Sequence, residues 1–316
     1  MKKLLLCLFS VTTLLMLTAC GGESISFKVI TPNGSPALSQ AYFQSTKPSL
    51  GDNVSYSVDV VNGTDPLVAA FNGTYEFIFA PTNLGVKMYN MNQKYQFLGT
   101  VVWGNLYFAT VTDSEFNLEY LNDKDIILFG ENTVPGIVAS EVLKKKNCNV
   151  SYLTSTAETQ AELISDNSKI VLIAEPSLSA LKTKLAQQNI TNVKTINLTT
   201  VWESLTGLRG IPQAGVFVNK EFASKNKDIV KSYIKALEES CNRANDDTDS
   251  VAAMAVELEY GFPLPVLKGS LKNSNIKFVN SKDSKEALED FLQRIIESSN
   301  GNLIGNKLPD SDFYFE

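Results

Sequence analysis

The sequence predicts an α/β protein made of two units. Three observations lead there. Short apolar runs of strand length alternate with helical patterns, as at 125–129, 150–153, 169–174 and 193–198 with helices between them. The chain has 316 residues, enough for two domains of ordinary size. Polar or Pro-containing loops close the apolar strands, as at Pro81-Thr82-Asn83 and Glu175-Pro176.

Taken in order, 26–30 alternates and ends in Thr31-Pro32-Asn33-Gly34-Ser35-Pro36, which reads as strand, turn and helix start. Residues 53–61 form a second strand, Asp65-Pro66 opens a short helix, and 75–80 is a third strand. Further strands at 95–102 and 106–111 flank Trp103-Gly104-Asn105. A second unit begins near Asp123. It carries four strands, and its helix at 156–165 has Glu158 in the first turn. The last part returns to the first unit, with a strand at 213–218, helices at 226–242, 249–260 and 284–298, and a polar tail expected to be partly loose.

Composition narrows the function. There is no histidine, which removes the usual general base near neutral pH and the commonest metal ligand. No Gly-x-Ser-x-Gly elbow, phosphate loop or Cys-x-x-Cys occurs. The expectation is a non-enzyme with no metal and no cofactor. Loss of Lys2 and Lys3 with an export signal leaves 26 basic against 34 acidic residues, which argues against nucleic acid as a partner. Cys148 and Cys241 read as separate thiols rather than a pair, though a disulfide stays open.

The N-terminus has a basic start at Lys2 and Lys3, an apolar run to about Leu17, then Leu17-Thr18-Ala19-Cys20. That run is too short for a stable span and reads as an export signal. The last four residues resemble the lipobox of bacterial lipoproteins. The resemblance implies a signal peptide over 1–19, acylation (diacylglyceryl, palmitate) of Cys20, and a tether over 20–25. The protein would then be held on the outer face of the cytoplasmic membrane by its lipid.

Four loops stand where ligands meet helix N-termini in open sheets: 33–36, 80–83, 131–135 and 175–176. Their order, with Val102-Trp103-Gly104-Asn105-Leu106-Tyr107 and Gly210-Ile211-Pro212-Gln213-Ala214-Gly215-Val216, resembles the solute-binding lipoproteins of ABC importers. The nearest branch covers nitrate, sulfonate, taurine and thiamine-precursor binding. The resemblance implies a bilobed type II periplasmic-binding-protein fold, two doubly wound α/β lobes joined by a two-crossing hinge. Lobe one would hold 24–116 and 215–316, and lobe two 117–214. The crossings would lie near 112–122 and 211–216.

On this reading the protein is a monomer that traps a small polar organic nutrient and delivers it to permease and ATPase subunits. Asn33, Ser35, Thr82 and Asn83 would meet the solute from lobe one, and Asn132 and Thr133 from lobe two. Trp103 and Tyr107 would stack on a flat ligand, or Trp103 is a core tryptophan. Glu175 would take an amine, or is a surface carboxylate beside a turn. Gln213 would touch ligand or brace backbone. No Arg or Lys lies in these loops, which with Glu131 and Glu175 tilts the expectation toward a neutral or partly cationic solute. The rivals are a surface sensing or adhesion lipoprotein without an importer, and an enzyme on the same fold.

Overall fold

The computed structural model describes residues 24–316; the expected signal peptide and Cys20 lie outside the described residues. Among the described residues, eleven strands form two sheets. They are β1 (Ile25–Pro32), β2 (Val54–Val61), β3 (Phe77–Pro81), β4 (Tyr95–Val102), β5 (Leu106–Val111), β6 (Asp125–Phe129), β7 (Asn149–Leu153), β8 (Ile170–Ala174), β9 (Val193–Asn197), β10 (Ala214–Asn219) and β11 (Ile276–Asn280). The first sheet has the order β11-β4-β10-β3-β1-β2, the second β7-β6-β8-β5-β9.

Both sheets are mixed rather than mostly parallel. β1 pairs in parallel with β2 and β3, and β6 with β7 and β8. β10 runs antiparallel to β3 and β4, and β5 runs antiparallel to β8 and β9. The reversal has a simple cause. β5 and β10 are the strands by which the chain enters the other sheet, so each arrives from the opposite direction to the βα units around it.

The position of β5 moves the first crossing. The sequence pattern put 106–111 in lobe one with β4, but this strand lies between β8 and β9 in the second sheet. The chain passes between lobes at Trp103-Gly104-Asn105, not at 112–122. Gly104 has φ +110°, and a Cβ there would stand 2.4 Å from Thr199 Oγ1, so only glycine fits this turn. A three-residue link between two apolar strands has the look of a hairpin, which is why the pattern misleads.

The return crossing follows the helix Leu198–Thr206 and ends at β10. It runs beside the first: Ile211 N–H donates to Trp103 O (3.1 Å) and Gln213 N–H to Val102 O (3.0 Å). Lobe one therefore holds 24–102 and 214–316, and lobe two the residues between the crossings.

The lobes are not hydrophobically separate. The largest apolar cluster includes Ile78, Phe97 and Phe217 of lobe one and Ile126, Leu128 and Ile137 of lobe two. Trp202 of lobe two meets Phe291 of the helix Ser281–Ile295 edge-on, with ring centroids 6.0 Å apart. The tail is packed, not loose. Phe313 is fully buried and stacks parallel to Phe97 at 5.5 Å. Its aromatic residues give it a core contact that its polar neighbours conceal. Among the described residues no helix is long and apolar enough to cross a membrane.

Candidate functional site

Where the lobes face each other they enclose a cavity of about 430 Å³, within the range of small-molecule sites. Lobe one supplies Pro32, Ser35 and Pro36 from the end of β1, Thr64 ahead of a short helix, and Pro81 from the end of β3. The helix Thr82–Asn92 adds Asn83, Leu84 and Lys87, and Leu303 comes from the C-terminal segment. Asn105, Gln213, Val102 and Ala214 come from the crossings and the strands at their ends. Lobe two supplies Thr133, Val134 and Pro135, the start of the helix Val134–Leu143.

Four of the nine residues expected from the sequence line this cavity: Ser35, Asn83, Thr133 and Gln213. Ser35 is buried. Its hydroxyl shares a hydrogen bond with Ser274 Oγ (2.8 Å) and accepts from Asn105 Nδ2 (3.1 Å). Asn83 Nδ2 donates to Leu303 O at 3.4 Å, and Thr133 Oγ1 donates to Gly130 O at 2.7 Å. Gln213 Oε1 accepts from Asn105 N–H at 3.2 Å, so it braces the crossings while facing the cavity.

The other five lie off the wall. Asn33 donates to Tyr260 O (3.1 Å) and accepts from Gly34 N–H (2.8 Å), which shapes the turn after β1. Thr82 is fully buried and donates to Pro212 O at 2.6 Å, tying β3 to the return crossing. Trp103 is a core residue: its Nε1 donates to Lys277 O (3.0 Å) and the Arg209 guanidinium lies 5.6 Å from its ring. Asn132 is exposed at φ +57°, the left-handed position of its turn.

Glu175 is not a surface carboxylate and is not open to a ligand amine. It is 3% exposed. It accepts from Ser179 N–H (3.2 Å), Ser179 Oγ (2.9 Å), Ser270 Oγ (3.1 Å) and Asn273 Nδ2 (2.7 Å). Four donors fill the capacity of a carboxylate. Ser270 and Asn273 belong to lobe one, so the group joins the lobes. Tyr107, expected to stack on ligand, instead donates its hydroxyl to Asn273 O at 2.6 Å. Burial, and then the nearby Glu175 charge, push its phenol well above the usual range.

Sequence reasoning missed Lys87 and Asn105. Lys87 is half-buried on the wall, with no hydrogen-bond or ion-pair partner among the described residues. No acidic side chain lines the cavity, so Lys87 is the sole charged residue on the described wall. Its signal was present in the spacing: Lys87 follows Asn83 by four positions, one helical turn along the same face. Two helices of ten residues or more also open here, Thr82–Asn92 and Val134–Leu143, and neither start is closed by a side-chain hydrogen bond. Helix starts carry partial positive charge and free N–H groups. The rest of the wall is mainly apolar, with Pro32, Pro36, Pro81, Leu84, Val134, Pro135 and Leu303 set among the uncharged polar residues Ser35, Thr64, Asn83, Asn105, Thr133 and Gln213. Among the described residues no group of three or more Cys, Asp or Glu could hold a metal ion.

Several solved structures share this fold. A structure described as an ABC transporter from Parabacteroides distasonis superposes with a TM-score of 0.77 at 20% identity, covering 93% of this chain and 99% of that one. The aliphatic sulphonate binding protein SsuA of Escherichia coli gives 0.68 at 14% identity, covering 93% of each chain. The ligand-binding component of an ABC-type import system from Staphylococcus aureus, solved with zinc bound, gives 0.66 at 14%, covering 93% and 97%. The architecture is thus the bilobed periplasmic-binding-protein fold. No curated protein matches the sequence. The family model described as menaquinone biosynthesis matches residues 87–297, more than half of the chain. On that match the chain belongs to the menaquinone biosynthesis family, carried on a periplasmic-binding-protein fold.

Proposed function

We propose that the protein is an extracytoplasmic solute-binding protein of an ABC importer, and that it holds a small organic anion with an apolar body between its lobes. The observation that carries this reading is Lys87, an unpartnered cation on an apolar wall. Burying an ammonium without a counter-charge is costly, so an anion arriving from solution gains a charge-assisted hydrogen bond that the protein leaves open. The two uncapped helix starts add to the same potential. The descriptions of the structures that share the fold, an ABC transporter, a sulphonate binding protein and the ligand-binding component of an import system, agree in kind. Cys20 acylation would anchor the chain beside a permease and an ATPase, and the chain would work as a monomer.

The test is a thermal-shift screen pairing sulfonates and carboxylates with neutral and amine compounds of the same skeleton. A ligand at 100 times its dissociation constant adds about 2.7 kcal/mol of stability. Anions are expected to raise the melting temperature while their neutral and cationic counterparts do not. A response confined to the neutral or amine members would refute the reading. Metabolic labelling with a radioactive fatty acid checks the anchor, and Cys20→Ser is expected to abolish the label.

The description of the matching family favours a second reading, in which the bound anion is converted rather than carried. Lys87 is the wall's sole ionisable side chain among the described residues, so it would have to supply any proton transfer. Mass spectrometry of ligand recovered after incubation separates the readings: a binding protein returns it unchanged.

A further inference from the structure

One wall residue, Leu303, comes from the C-terminal segment, far in sequence from the others that build the cavity. It sits in the short 3-10 turn Gly301–Ile304, which follows the helix Ser281–Ile295 and a π turn at Ile296–Asn300. This segment is held like a strap against the helix that carries Lys87. Asn90 Nδ2 donates both to Ile304 O (2.7 Å) and to Lys307 O (2.9 Å). Asn83 Nδ2 reaches Leu303 O, and the Tyr89 hydroxyl donates to Asp310. Farther along, Phe315 N–H donates to Phe97 O (3.0 Å), which pins the end of the strap to β4.

These bonds hold the strap by its backbone and by residues other than Leu303. The Leu303 side chain is half-buried and forms part of the apolar wall. Leu84 and Lys87 stand on the neighbouring helix, so an apolar stop and a cation share one side of the cavity. Fixed charge at one point and a fixed apolar wall near it define how long a body an anion can carry.

We propose that Leu303 is a specificity-determining residue: it sets the length of the apolar body that the site accepts beyond the acid group held at Lys87. This rests on the anion-binding reading and adds a size limit to it. Shortening Leu303 opens room that a longer body fills, and each extra buried methylene contributes about fourfold in affinity. Enlarging it removes that room.

The experiment measures calorimetric affinities of straight-chain alkanesulfonates, from ethanesulfonate to octanesulfonate, for the wild type, Leu303→Ala and Leu303→Trp. The preferred chain length is expected to rise in Leu303→Ala and to fall in Leu303→Trp, with about a tenfold change in the ratio of long-chain to short-chain affinity. That ratio is insensitive to a general loss of stability, which would weaken all members alike. An unchanged preference in both variants overturns the inference and leaves the anion reading standing. If the wild type binds no member of the series, the inference is overturned, and the sulfonate and carboxylate screen decides the anion reading separately.

Discussion

The side chain of Asn273 donates from Nδ2 to Glu175 Oε1 at 2.7 Å, and this bond joins the end of a lobe-one helix to the end of β8 in lobe two. Ser270, one turn earlier on the same helix, donates to the other carboxylate oxygen. The lobes are thus held together beside the cavity as well as at the two crossings. The carboxylate works here because every partner is a donor, and it has no cation of its own to satisfy.

Glu175→Gln is expected to be destabilising despite its similar shape. The amide would turn N–H groups toward Asn273 Nδ2 or toward Ser179 N–H, neither of which can accept. A hydrogen bond to a charged group contributes about 1.5–3 kcal/mol, and an unsatisfied buried donor costs a comparable amount. Urea denaturation should show a loss of about 3 kcal/mol. A loss under 0.5 kcal/mol, well below what a buried network implies, would mean that the inter-lobe bonds contribute little.

Gly269→Ala tests the same junction sterically. The helix Leu264–Asn273 passes so close to the helix Ser177–Ala186 that a Cβ on Gly269 would stand 2.2 Å from Ser179 Oγ and 2.8 Å from Ser179 Cβ. In an isolated helix, alanine would be the better residue. Here overpacking is expected to dominate, costing about 1–3 kcal/mol. A melting temperature equal to or above that of the wild type would show that the helices can separate at little cost.

Several features of the site were legible in the sequence, and the rest was hidden for a consistent reason. The strand-end loops were located from their composition, and Ser35, Asn83, Thr133 and Gln213 do line the cavity. Asn33, Thr82 and Glu175 stand in the same loops and carry the same kinds of polar atom, yet the protein itself uses them. Their partners lie 227, 130 and 98 residues away in sequence, at Tyr260, Pro212 and Asn273. No local pattern distinguishes a polar group awaiting a ligand from one awaiting a distant carbonyl. Lys87 and Leu303 escape a reading of the strand-end loops because a helix face and a C-terminal strap complete the wall. The pattern at 106–111 predicts a strand but not its sheet, since a short link between apolar runs is locally identical to a hairpin.

The alkaline limb of stability follows from buried phenols. Burial pushes Tyr56 and Tyr95 up to about 12, against about 10 for an unfolded tyrosine. Because the folded state holds these protons more tightly, their contribution is fully present below pH 10 and is lost as pH rises through about 12. Burial likewise pushes the Cys241 thiol up to about 12, so urea midpoints should begin to fall above about pH 9 and fall more steeply above about pH 10. A midpoint that rises over the alkaline range would contradict this account of the core.

The central claim is that the cation at Lys87 holds an organic anion between the lobes. The most direct measurement is the calorimetric affinity of one sulfonate or carboxylate that stabilises the wild type, compared with its affinity for Lys87→Gln. Loss of a charge-assisted hydrogen bond should weaken binding about tenfold or more, while the melting temperature of the free protein changes little. Equal affinity for the two proteins would contradict the claim.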